Sequence, residues 1–553
     1  MTEPRLDDAL SIAAAARDAG DAPAIVTATR TLTFADCARL VENGAGDAPA
    51  IVTATRTLTF ADCARLVERD AGHDAADARI EGGPAGAARS GVDVRVATPT
   101  VETVLAVYRA LETRRPIALL HHRAGDAALA QQRSVLARGG GGSGDGGGGS
   151  GDGGGSGDGG GSGDGGGSGD DGGGSGDGGG SGDGGGSGDG GGGSGDGGGS
   201  GDGGGSGDGG GSGDGGGSGG DIAPDAAAIL FTSGSTGAPK GVVHARAGLV
   251  AAAEAHARHV PWRDDDCWLL ALSMAHAGGL SIVIRCLAAR RPIVLVEEDA
   301  GIAQLIGRCT LASLVPTQLA ALLDDPAWRP AEGLRMVLLG GAAAPAPLLE
   351  AARARGVPFL TTYGMTETLG QVATASLARA GEPDAPLEAL PGVELVAGTR
   401  AAPERIRVRT AQLAIGYLGG APIAPELATN DLGFVEDGAL HVVGRADDVI
   451  ITGGEKVHPA AVEAVVATTP GVRAAVAFGV PDARWGQVVG VAIVVADGFA
   501  LAQATAHWRA ALPAHARPRA VAIARALPLT PSAKVDRRAA AALPLAPVVY
   551  GVL

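Results

Sequence analysis

From Gly139 to Gly220 the chain uses only three residue types, 56 Gly, 13 Ser and 13 Asp, in a GGGSGD-like period of six. Nothing in this tract can leave water for a core. Burial therefore cannot offset the entropy of ordering it, and the insertion is expected to stay disordered. Calcium-binding β-roll repeats have nine residues and a large apolar side chain per turn, a pattern this tract does not follow. A folded domain tolerates such an insertion because loop-closure entropy grows only with the logarithm of length. The fold must come from the residues on either side. The tract also distorts the charge balance: without its 13 aspartates the formal −17 becomes −4, ordinary for a soluble enzyme.

At 553 residues there is room for two or more domains. Hydrophobic residues make up 45% and aromatics 3%, so the core must be built from Ala, Val, Leu and Ile. No basic domain or Lys/Arg run points to nucleic acid. Cys37, Cys63, Cys267, Cys286 and Cys309 show no pairing or metal-ligand spacing, which fits a reducing compartment better than a disulfide framework. The acidic start MTEPRLDDAL is not a secretory signal. The uncharged run from Cys267 to Ile284 reaches the length of a membrane span, but His276, two serines and a Gly-Gly pair argue against one. The chain reads as cytoplasmic with no stable membrane span, and its oligomeric state is left open.

A second anomaly is exact repetition. Ala19 to Glu42 recurs without change at Ala45 to Glu68. Repeat architectures vary at exposed sites, so identity over this length indicates either a very recent duplication or an error in the sequence record. Each copy reads as a small hairpin followed by a helix at Phe34–Val41 or its equivalent, and only one copy is expected to pack in the domain.

Elsewhere α and β signals alternate. Strands are expected at 92–96, 116–121, 229–232, 268–272, 293–296, 311–315 and 336–339, with helices at 101–111, 245–259 and 279–287. This predicts a large α/β domain with mainly parallel sheets. Beyond Gly444 a smaller α+β unit follows, with helices at 459–468 and 500–511 and strands at 474–478, 488–495 and 520–524. The expected division is 1–446 and 447–553.

The stretch Ala228–His244, AILFTSGSTGAPKGVVH, carries the first chemistry. A short apolar run feeds a loop of Thr, Ser, Gly and Pro that ends at Lys240. Small residues let backbone N–H groups approach an anion, hydroxyls add donors, and the lysine adds charge. The spacing is not that of the nucleotide-binding P-loop. Thr232 to Gly241 instead resembles the phosphate loop of the acyl-adenylate-forming (AMP-binding) superfamily. Four further strings follow in that family's order: Gly340–Pro345, Thr362–Glu367, Thr429–Gly433 with Gly444–Asp448, and Leu529–Arg537.

The resemblance implies a role for each matching residue. Thr232, Ser233, Gly234, Ser235, Thr236, Gly237 and Lys240 would hold the phosphates of ATP, with Gly341 in a second nucleotide-side loop. Tyr363 would lie against adenine, Thr366 would contact phosphate and Glu367 would hold Mg²⁺. Asp431 would accept from the ribose hydroxyls, Arg445 would reach the nucleotide, and Asp447 would be the hinge of a mobile small domain. Gly453, Gly454 and Lys456 match the segment beside the coenzyme A tunnel. Lys534 matches the catalytic lysine that bridges the acyl carboxylate and the α-phosphate. The family usually has Gly before this lysine; here it is Ala533, which is strained if the backbone there needs a positive φ.

Leu272–Leu280 resembles the acyl-pocket segment, whose histidine, here His276, lies beside the acyl group. The strings at 278–285, 312–319 and 337–341 look most like the o-succinylbenzoate–CoA ligases of menaquinone biosynthesis. Their small-molecule carboxylic acid carries two carboxylates. Arg285 is the candidate for the one that is not activated, since a guanidinium binds a carboxylate bidentately. An ordinary helix-terminal arginine is the alternative. Ser313 and Thr317 are candidates for the pocket wall. Another aryl- or acyl-CoA ligase, or a nucleotide-binding pseudoenzyme, are the competing readings.

Overall fold

The computed structural model describes residues 6–19, 21–28, 31–42, 49–52, 57–59, 91–139, 222–233, 239–297, 301–420, 422–531 and 533–550. The expected disorder of the Gly/Ser/Asp tract and the helix of the second duplicate copy fall outside them. Gly139 is the exception, closing the Asp126–Gly139 helix.

Six short apolar strands run parallel through the centre of a 13-stranded sheet: Pro23–Val26, Ile293–Leu295, Trp268–Leu270, Leu311–Leu314, Met336–Leu339 and Phe359–Met365. Helices pack against it; the Ala277–Ala289 helix buries Leu280, Val283, Ile284 and Leu287. From Gly370–Thr374 onward every strand pairing in this sheet is antiparallel, a pattern that turns and loops can connect without a crossover helix. One of these turns is Asp437-Gly438, with φ of +51° and +79°, the sign that a two-residue hairpin of type I′ requires. The sheets are thus mixed, parallel at the centre and antiparallel along the flank.

A five-stranded sheet holds Asp93–Ala97, Ile117–His121 and Ala226–Ser233 in parallel, then Pro239–Ala245 and Gly416–Tyr417 antiparallel. The first duplicate copy joins the large sheet, Ile25 pairing with Ile293. The described strands of the second copy, Pro49–Val52 and Thr57–Thr59, pair only with each other.

The last strand of the large sheet ends at Arg445, and a six-stranded sheet begins at Ile450. The small sheet carries the Pro459–Ala467 and Leu501–Ala511 helices over a core of Val462, Val466, Val491, Ile493 and Trp508. Its strands are longer than the sequence suggests, at Val472–Asp482 and Gly486–Val495, and they pair along their full length.

Parallel strands bring their C-terminal ends to one side, where α/β sheets bind ligands. Here those ends lead into Leu272–His276, Val315–Thr317, Gly340–Gly341 and Tyr363. The small domain adds Lys534 to this group.

Candidate active site

Thr232 pairs with Lys240 and Ser233 with Pro239, so the two strands close the base of the phosphate loop. Gly234, Ser235, Thr236 and Gly237 lie outside the described residues. Lys240 is exposed, and its ammonium stands 5.7 Å from the centre of the Tyr417 ring. Tyr417 in turn donates to Glu367 Oε1 at 3.0 Å. Burial, and then the Glu367 charge, push the Tyr417 phenol up to about 12, so it stays a donor at neutral pH. The Glu367 backbone carbonyl accepts from Ala414 N at 2.7 Å, and Thr366 and Glu367 form one 3₁₀ turn. The carboxylate is therefore fixed through one oxygen. Its other oxygen has no hydrogen bond among the described residues, a hard donor suited to Mg²⁺.

On the nucleoside side, Asp431 and Arg445 are paired residues of adjacent antiparallel strands. Tyr363 donates to Asp431 Oδ2 at 2.7 Å, and Arg445 Nη1 lies 3.6 Å from Asp431 Oδ1. Burial first, then the Asp431 charge, raise the Tyr363 phenol well above its usual range. Arg445 also grips Asp447 with two bonds of 3.0 Å. Burial works against the Asp447 carboxylate, but the Arg445 contacts outweigh it and hold the group below its ordinary value.

Lys534 follows a tight loop in which Thr530 N donates to Lys534 O at 2.7 Å and Ala533 N to Thr530 O at 2.9 Å. Ala533 takes φ +59°, so an alanine occupies the left-handed region that favours glycine. Thr317 Oγ1 donates to Ala533 O at 2.8 Å. The lysine side chain lies over Gly341, whose φ is +82°; a Cβ there would come 3.4 Å from Lys534 Cε. The residue is exposed, but desolvation by the protein around its ammonium still lowers its pKa; Arg445 adds to the effect and Asp431 opposes it. Lys534, Arg445, Asp431, Tyr363 and Gly341 thus form one neighbourhood.

His276 caps the N-terminus of the Ala277–Ala289 helix, and its ring lies 4.8 Å from that of His121. Burial first, then the neighbouring His121 and the Lys534 charge, take His276 down to about 3, so it is neutral in the working range.

Arg285 lies in the middle of this helix, not at its end, and is only 3% exposed. Its guanidinium rests 5.6 Å from the Trp268 ring, its Nε has no partner, and no carboxylate pairs with it among the described residues. Burial lowers its pKa to about 9, with Cys286 opposing. Nine residues of helix separate it from His276, about 13 Å at 1.5 Å per residue. Ser313 is buried and accepts from the Nε1 of the same Trp268 at 3.1 Å. Thr317 is engaged with the lysine loop rather than with Arg285.

Gly453 and Gly454 turn an exposed hairpin with φ of +59° and +89°, and a Cβ on Gly453 would strike Trp485 at 2.7 Å. Lys456 pairs with Ile451 in the same hairpin.

Two residues of the site are absent from the sequence reading. Tyr417 gave no motif. His121 did leave a signal, a His-His pair closing an apolar strand of an α/β sheet.

The AMP-binding enzyme family matches residues 221–402, and the AMP-binding enzyme C-terminal domain matches residues 461–534. The 2-succinylbenzoate–CoA ligase of Bacillus cereus is 35% identical over 337 residues, covering 57% of this chain and 69% of that protein. A Mycobacterium tuberculosis protein named "Probable 2-succinylbenzoate–CoA ligase" is 38% identical over 341 residues, covering 58% and 84%. Among solved structures, o-succinylbenzoate CoA synthetase of Bacillus subtilis in complex with its acyl-adenylate intermediate superposes with a TM-score of 0.64. It is 22% identical and covers 95% of this chain and 96% of that one, a likeness of fold.

Proposed function

The chain belongs to the AMP-binding enzyme family, and from that premise we propose that it is an AMP-forming acid–CoA ligase that converts o-succinylbenzoate to its CoA thioester for menaquinone biosynthesis. ATP, Mg²⁺ and coenzyme A are the partners of this reaction, and the cytoplasm is its place. Within the site, the observation that carries the choice of acid is Arg285: a buried guanidinium with no carboxylate of its own, far along the helix from His276. A monocarboxylic acid gives such a group nothing to pair with. A diacid of this length does, and leaving a buried charge unpaired is costly.

The roles are those the family resemblance implies, and the geometry supports them. Thr232–Lys240 and Thr366 hold the phosphates, Tyr363 flanks the base, and Asp431, oriented by Tyr363 and Arg445, accepts from the ribose hydroxyls. Glu367, steadied by Tyr417, would hold Mg²⁺, whose charge offsets that of the phosphates. An oxygen of the acid's activated carboxylate forms a bond to the α-phosphorus, the bond to the β-phosphate oxygen breaks, and pyrophosphate leaves. Lys534 stands between the two anions and stabilises the charge as they close. The coenzyme A sulfur then bonds to the acyl carbon, AMP leaves, and the thiol proton is released. In this second step the small domain turns about Asp447 and brings the Gly453–Lys456 hairpin to the acyl group.

The test is a panel of acids incubated with ATP and coenzyme A. Thioester formation fastest with o-succinylbenzoate supports the assignment. Preference for a benzoate-type monoacid makes the chain a different aryl-CoA ligase, and no turnover with any acid makes it a nucleotide-binding pseudoenzyme.

A further inference from the structure

His121 ends the Ile117–His121 strand, 5% exposed, with its ring 4.8 Å from that of His276. Its strand runs parallel to Ala226–Ser233, the strand that leads into the phosphate loop, with Leu119 opposite Leu230. Its tautomer can be read from its neighbours. The Arg123 backbone N–H donates to His121 Nδ1 at 3.0 Å, so that nitrogen bears no proton. Burial, reinforced by His122 and Arg123, holds the imidazole at about 4 and hence neutral. A neutral ring with Nδ1 accepting carries its one proton on Nε2. Nε2 is buried and has no partner among the described residues. His122 keeps the ring in place: it stacks on His121 at 5.0 Å and 9°, and its own Nδ1 meets the Ala97 carbonyl at 3.0 Å.

A buried N–H donor held in one tautomer is suited to an acceptor brought by the ligand. Its ring neighbours are His276 and His122, and His276 in turn lies within reach of the Lys534 charge. We infer that His121 is a substrate-positioning residue whose Nε2–H donates to the carboxylate undergoing activation, next to Lys534. This rests on the acid-activating reading above. The step involves no proton transfer: His121 orients one carboxylate oxygen and leaves the other free to attack phosphorus.

The experiment is steady-state pyrophosphate exchange by the full chain carrying His121→Gln or His121→Met. Glutamine presents an amide N–H near the place of Nε2, whereas methionine fills similar space with no donor. We expect His121→Met to raise the KM for the acid about 10- to 30-fold with the KM for ATP within twofold, and His121→Gln to recover most of that loss. Equal acid KM values for Gln, Met and the parent enzyme overturn the inference, as does an equal rise in both KM values. If His121→Met does not fold, His121→Leu, which is also uncharged and without a donor, carries the same comparison. Exchange by the parent enzyme is the separate control: if no acid supports it, the acid-activating reading fails, whatever the variants do.

Discussion

Thr317 Oγ1 donates to the carbonyl of Ala533 at 2.8 Å, joining the first turn of the Pro316–Asp324 helix to the residue before Lys534. This bond ties the large domain to the loop that presents the catalytic lysine. A hydrogen bond of this kind contributes about 0.5–1.5 kcal/mol, or roughly 2- to 10-fold in rate. Thr317→Val should lower the rate of acyl-adenylate formation by that factor. Thioester formation from preformed acyl-adenylate should not change, because that step does not use Lys534. Single-turnover measurement of the two half-reactions checks this; equal slowing of both would contradict it.

Ala533 occupies φ +59°, where an L-residue pays about 1–2 kcal/mol. Ala533→Gly should relieve part of that cost in the lysine loop, with an increase in adenylation rate of about twofold to fivefold. The melting temperature should move by no more than a few degrees, since glycine also loosens the unfolded chain. A slower enzyme would show that the strained geometry itself is needed.

Arg285 provides the specificity test. Arg285→Lys keeps the charge but loses the planar fork, and Arg285→Ala removes both. Charge-assisted hydrogen bonds contribute about 1.5–3 kcal/mol, so the KM for o-succinylbenzoate should rise roughly 10- to 100-fold in the alanine variant. The lysine variant should fall between it and the parent. The KM for ATP should stay constant, because Arg285 contacts no residue of the nucleotide group among the described residues. An alanine variant with the parent's affinity for the diacid would remove the role assigned to this residue.

His244 predicts a pH dependence of stability. It is fully buried on the strand that follows the phosphate loop, and burial lowers its pKa to about 4, with the Thr366 backbone opposing. The unfolded chain binds this proton below about pH 6.5, whereas the folded chain does so only near 4. Stability is therefore retained above 6.5 and lost as pH falls toward 4, by up to roughly 3 kcal/mol from this group. Thermal melts between pH 7 and 4 should show a falling Tm, and His244→Gln should flatten the slope. An unchanged slope in the variant would place the effect elsewhere.

The central strands and the nucleotide motifs were legible because each is local. Apolar runs such as Met336–Leu339 and Leu311–Leu314 announce buried strands, and Thr232–Lys240 carries its own composition. The antiparallel flank was less so. Glu404–Thr410 alternates, with Ile406 and Val408 turned inward, but its partners are set by a succession of turns rather than by its own pattern. Arg285 was legible as a candidate, while its burial against Trp268 emerges only when helix and sheet pack. Tyr417 is the clearest miss. Fifty residues separate it from Glu367, and the bond between them exists because Gly416–Tyr417 pairs with the strand after the phosphate loop.

The most direct test of the account is exchange of labelled pyrophosphate into ATP by the purified chain, with o-succinylbenzoate or benzoate as the acid. The account predicts exchange that depends on o-succinylbenzoate, is at least tenfold weaker with benzoate, and falls about 10²- to 10³-fold in Lys534→Ala. Exchange that ignores the acid supplied, or that survives the loss of Lys534, would contradict it.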